Sequence, residues 1–166
     1  MSGALEGAMK NSRKMKACIA VALYLFIPLF ASAGDIVATG GWSLTVDSAD
    51  LTSGAGSDLA STYESAASAT DLAITATADY RVDIRRTDGT WDGDFTISAK
   101  RTQNGSGSGS ISGGTTYLAI TTTDAEFFTG NSDRTGVKVQ YQLEGVSVTI
   151  SPDTYSSTVT YTIVDL

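Results

Sequence analysis

The chain contains no histidine and only one cysteine, Cys18. Without imidazole a Ser-His-Asp arrangement cannot be assembled, and the usual zinc sites lose a principal ligand. The lone thiol lies in a segment that reads as a leader. Arg13, Lys14 and Lys16 precede an apolar run from Ala17 to Phe30, and the small residues Ala31-Ser32-Ala33 follow. Basic, apolar, small is the order of a cleavable signal peptide. A cut after Ala33 would remove Cys18, so the exported chain would fold on core packing alone, without disulfides.

A membrane-spanning run is also lacking. Ala17 to Phe30 is 14 residues, short of the roughly 18–20 that a stable spanning helix needs. Pro28 near its end suits a cleaved signal better than a permanent anchor, and Cys18 lies at the start of the apolar run instead of following it as in a lipoprotein signal. Met1, Met9 and Met15 are all possible starts. The expectation is a signal peptide over residues 1–33 and one domain over residues 34–166. The product would be secreted or at the cell surface, with no stable membrane span after cleavage.

Positive charge is scarce in what is left. Lys10, Arg13, Lys14, Lys16 and Glu6 leave with the leader, so 7 basic residues face 17 acidic ones, a net charge of −10. Nucleic acid and anionic membranes require a basic footprint. Neither partner is expected.

What is present is period-two alternation. Leu72, Ile74, Ala76, Ala78, Tyr80, Val82 and Ile84 share one parity, while Thr75, Thr77, Asp79, Arg81, Asp83 and Arg85 hold the other. Residues i and i+2 of a strand point the same way, so one face is apolar and the other wet. A strand of that length is unusual, which predicts a bend near Ala78-Asp79. Trp42, Leu44 and Val46 alternate in the same manner, as do Phe95, Ile97 and Ala99, then Val137, Val139, Tyr141 and Leu143. Val146, Val148 and Ile150 predict a further strand after the Glu144-Gly145 turn, Val159, Tyr161 and Ile163 a closing one, and Tyr117 to Thr122 a weak one. Asp88-Gly89 predicts a hairpin turn, which would place Lys100 and Arg101 across from Arg81 and Arg85. Leu59 to Ala69 reads as a loop or one short helix. Asn104 to Gly114, rich in Gly and Ser, reads as a flexible connection. The fold expected is all-β: a single antiparallel Ig-like β-sandwich of about seven to eight strands. A membrane barrel would need lipid-facing bands of about ten residues per strand, longer than these.

Few residues remain to carry chemistry. Asp88, Asp92 and Asp94 around Gly89 and Gly93 are the candidates for calcium, which takes several oxygen ligands. Their spacing does not match an EF-hand loop, and hairpin turns use Asp and Gly for backbone reasons. Paired carboxylates about 5–9 Å apart would be needed for glycoside hydrolysis, and Glu64, Glu126 and Glu144 sit in no suggestive motif. Trp91, Trp42 and Tyr155 are the candidate ligand or partner contacts, with Tyr117 as a further aromatic, because aromatic faces stack on sugars. Trp42 shares the in-facing parity of Leu44 and Val46. Trp91 lies between strands, where it either binds a glycan or folds back over the core edge. Asn104-Gly105-Ser106 matches an N-glycosylation acceptor.

Two segments resemble known families. Tyr155-Ser156-Ser157-Thr158-Val159-Thr160-Tyr161-Thr162-Ile163 resembles the closing strand of bacterial exported Ig-like proteins of the spore coat protein U and fimbrial-subunit type. Trp42-Ser43-Leu44-Thr45-Val46 resembles the Trp-x-Leu motif of WxL cell-wall domains. The first resemblance implies surface fibres or coats, often built by lending a strand to a neighbour's open sandwich; Asp35 to Val46 is the candidate donor strand, or else the first strand of its own domain. The combined expectation is an exported, non-catalytic surface, coat or fibre subunit without cofactors, pairing with itself or other surface proteins. A carbohydrate- or cell-wall-binding module is the alternative.

Overall fold

The structure is a computed structural model that describes residues 34–166. The signal peptide expected over residues 1–33, with Cys18, lies outside the described residues. Among the described residues there is no α-helix; one 3-10 turn, Ser48–Asp50, accompanies ten strands. The ten exceed the seven or eight expected because three of them span only two or three residues.

The first sheet contains β1 (Asp35–Gly40), β3 (Thr70–Thr75), β9 (Arg134–Glu144), β5 (Thr96–Ser106) and β7 (Leu118–Ala119) in that spatial order. β2 (Thr62–Glu64) pairs with the far end of β9. The second sheet runs β10 (Ser157–Asp165), β4 (Asp79–Asp88), β8 (Ala125–Asn131), β6 (Ile111–Ser112). All pairings are antiparallel.

One core joins the two sheets. Leu72 and Ile74 of β3, Ala99 of β5 and Val137, Val139 and Tyr141 of β9 meet Tyr80, Val82 and Ile84 of β4 and Phe127 and Phe128 of β8. Fully burying such a side chain contributes about 1.5–3 kcal/mol, so this cluster is the main source of stability in a domain with no cystine. The result is a β-sandwich-like fold, the apolar faces inward.

The long alternating series divides as its length required. It breaks at residues 76–78, next to the bend expected at Ala78-Asp79, and the two halves enter different sheets. Parity survives the crossing, so Leu72 and Ile74 face Tyr80, Val82 and Ile84 from the opposite side of the core. β8 carries a bulge: Val82 opposes Phe128 but Asp83 opposes Glu126, leaving Phe127 as the extra residue. An inserted residue resets the alternation, and both phenylalanines are thereby buried.

Several local expectations are corrected. Trp42 to Val46 is not a strand; pairing ends at Gly40, whose φ of +98° suits glycine. A Cβ there would lie 2.4 Å from the Ala69 carbonyl oxygen. Asp88-Gly89 does not close a hairpin, because β4 and β5 belong to different sheets. That turn is instead held by the chain before β10, through Gly89 N–H on Ser156 O and Ser156 N–H on Thr90 O. Arg81 and Arg85 therefore pair not with β5 but with Asp83 and Asp124. Val146 to Ile150 is irregular; the Asp58 carboxylate accepts its Val148 N–H, and hydrogen bonds from Val148 and Leu59 hold that carboxyl below its usual range. Leu59 to Ala69 contains β2 and no helix. Asn104 to Gly114 is no featureless connection: β5 continues to Ser106 and β6 begins at Ile111. The weak strand at Tyr117 to Thr122 shrinks to Leu118–Ala119.

Candidate functional site

The two sheets end differently on their two flanks. On one flank the terminal strands, β7 and β6, are two residues each. On the other they are β1, of six residues, and β10, of nine. Proteins usually blunt a free edge with short strands, Lys, Pro or a bulge. β1 and β10 contain neither Lys nor Pro, and their ladders with β3 and β4 run without a register shift.

β1 and β10 approach each other at one end and part at the other. Gly34 N–H donates to Asp165 Oδ1 at 3.3 Å, and a Cβ on Gly34 would meet Ile163 at 2.5 Å. Towards the other end a groove of about 380 Å³ opens between Ala38–Gly41 and Ser157–Tyr161. Thr70, Ile97 and Tyr141 form part of its lining, with Trp42 beside them. Trp42 is thus a groove residue packed against the core, reached by a loop and not by a strand. The Tyr141 hydroxyl lies 2.8 Å from Thr70 Oγ1 and 2.9 Å from the Tyr161 hydroxyl. Burial, with Tyr141 alongside, pushes the Tyr161 phenol well above its usual range.

Trp91 and Tyr155 come together elsewhere, through a residue that sequence reasoning assigned only to a strand. Phe95 meets Trp91 edge-on at 5.5 Å and Tyr155 edge-on at 4.9 Å. The Arg86 guanidinium sits 4.8 Å from the centre of the Trp91 ring, so a face that could stack on a sugar is occupied by a cation. The Trp91 indole N–H is buried without a partner. Burial raises the Tyr155 phenol, and Asp92 and Asp153 add to the shift.

The acidic candidates do not converge. Asp88 pairs with Arg86, and Asp92 Oδ1 accepts the Asp94 N–H at 2.9 Å. Among the described residues no three potential ligands are grouped to hold a metal ion. Glu64 reaches Gln140 and Gln142, and with burial it raises the Tyr117 phenol to about 12. Glu126 lies in β8; Glu64 and Glu144 are on the paired strands β2 and β9, opposite Gln142 and Thr62 and not each other. Asn104 is exposed, and its side-chain oxygen accepts from Arg101.

Sequence reasoning missed two features. The Thr70–Tyr141–Tyr161 chain required knowing that β9 and β10 belong to facing sheets. Burial of Arg101 did have a signal, since Arg101 continues the in-facing parity of Ile97 and Ala99.

Comparison with protein-family models, with curated proteins and with solved structures returned no match. The functional reading therefore rests on the edges and the groove.

Proposed function

We propose that this chain is an exported, non-catalytic subunit of a surface layer, coat or fibre, an Ig-like sandwich that associates by strand pairing along its β1–β10 flank. The carrying observation is the asymmetry of the edges: two residues per strand on one side, a nine-residue unprotected strand on the other. A free strand edge presents unpaired N–H and C=O groups that another chain can satisfy. Thr158, Thr160 and Thr162 alternate with the in-facing Val159, Tyr161 and Ile163 along β10. Val37 of β1, on the opposite parity from the core-packed Ile36, is 51% exposed, adding apolar area to the outer face of that flank. Export through a signal peptide fits an acidic chain that uses no disulfide.

The test is the assembly state of the purified protein, read by light scattering and electron microscopy over a concentration series. Oligomers or filaments are expected. Thr160→Lys places a charge on the outward face of the edge strand while leaving the core untouched, and should shift the population to monomer. A wild-type protein that stays monomeric at high concentration overturns the proposal.

A further inference from the structure

Arg101 and Arg134 are only 5% and 7% exposed. They come from neighbouring strands, β5 and β9, which also send Ile97 and Tyr141 to the groove. Among the described residues neither has a carboxylate partner; the ion pairs are Arg81–Asp83, Arg85–Asp124, Arg86–Asp88 and Lys138–Asp71.

Their hydrogen bonds go to neutral oxygens. Arg101 Nε and Nη2 donate to Gly113 O at 3.0 and 2.6 Å, and Nη1 donates to Asn104 Oδ1. Arg134 Nη1 donates to Asn104 O at 3.3 Å and Nη2 to Gly109 O at 2.5 Å. These bonds fasten the Gly/Ser-rich segment over the sandwich. They do not neutralise two buried positive charges, and an uncompensated buried charge is costly.

Two donors are left over in the same place. Arg134 Nε is buried with no partner, and so is the hydroxyl of Tyr80, whose side chain is fully enclosed. The Tyr80 hydroxyl lies against Gly130, next to Asn131, whose side-chain oxygen abuts the same Gly109 whose carbonyl accepts from Arg134. Burial raises the Tyr80 phenol, Arg134 and then Arg101 pull it back, and Asp133, whose Oδ1 accepts the Ala76 N–H at 2.8 Å, opposes them. Two like charges and two unsatisfied donors define a site that lacks one anionic acceptor. Tyr80 also borders a surface cleft of about 290 Å³ with Asp79, Gly130, Asn131 and Leu166.

We propose that Arg134, Arg101 and Tyr80 hold a small inorganic anion of halide size, accepting from Arg134 Nε and the Tyr80 hydroxyl. The anion compensates the buried guanidiniums and locks the Gly105–Gly114 segment against the sandwich. The inference is independent of the assembly reading.

Bromide provides the test, because it substitutes for chloride and scatters anomalously. Crystals of the protein grown in sodium bromide should show an anomalous peak in contact with both Arg134 Nε and Tyr80 Oη. In solution, sodium chloride or bromide should raise the unfolding temperature above that in sodium gluconate of equal ionic strength. Tyr80→Phe keeps the ring and removes one donor, and should reduce that halide-specific shift by half or more. No bromide peak at the site overturns the proposal, as does an unfolding temperature that follows ionic strength alone. A peak without halide-specific stabilisation means an adventitious ion only, and equally counts against it.

Discussion

The hydroxyl of Tyr141 on β9 lies 2.9 Å from the hydroxyl of Tyr161 on β10, a direct bond between the two sheets at the rim of the groove. Thr70 Oγ1, 2.8 Å from Tyr141, extends the bond into a chain. Tyr141 is its middle member. Tyr141→Phe would leave both neighbours without this partner, and an unsatisfied buried hydroxyl costs about 1–3 kcal/mol. Tyr161→Phe removes only an end, because Tyr141 keeps Thr70. Urea unfolding should therefore rank Tyr141→Phe as the more destabilising of the two. Equal losses would refute the middle-member role of Tyr141.

Tyr161 belongs to a set of tyrosines that sets an alkaline limit. Burial raises the phenols of Tyr161, Tyr117, Tyr80, Tyr63 and Tyr155, each with its own charged or phenolic neighbours, and for Tyr117 the value reaches about 12. The folded state then retains protons that the unfolded chain releases near its ordinary value of 10.0. Stability falls as pH rises wherever the folded state binds more protons. It should be unaffected by these groups through neutral pH and decline above about pH 10, the Tyr117 contribution disappearing progressively towards pH 12. Urea midpoints measured with tyrosinate absorbance check this. Titration of all the tyrosines near pH 10, with no change in midpoint, would refute it.

How far the sequence disclosed these features depended on whether they were local. Alternation in Leu72 to Ile84 identified most of the in-facing residues, because side-chain parity is a property of one strand; it failed at Ala78, exposed at the crossing, and at Asp83, buried although on the other parity. It could not say that the series supplies both sheets, which depends on the crossing at residues 76–78. Asp88-Gly89 misled for the complementary reason. Its turn chemistry is local, but hairpin formation requires β4 and β5 to share a sheet, and each has other partners. The closing strand was readable from Val159, Tyr161 and Ile163; its free outer edge was not, since an edge is defined by which neighbours are present. Trp42 was correctly turned inward, although a loop and not a strand carries it there.

Trp91 tests whether the aromatic cluster is packing or a binding face. One ring face has Arg86 at 4.8 Å, while Phe95 meets the ring edge-on at 5.5 Å and passes the contact to Tyr155 at 4.9 Å. Such aromatic pairs add about 0.5–1.5 kcal/mol beyond their buried area. Deleting a large core side chain costs about 3–5 kcal/mol, and Trp91 is only half-buried. Trp91→Ala should therefore cost about 2–3 kcal/mol, read as a lower urea midpoint with an unchanged slope. Phe95 loses one of its two edge-on partners in the variant, so the near-ultraviolet circular dichroism of the cluster should weaken as well. If glycan binding to the wild type were found and Trp91→Ala abolished it at unchanged stability, the ring would be a recognition surface and not a packed one. The expected result is the reverse: stability falls, and no glycan signal accompanies it.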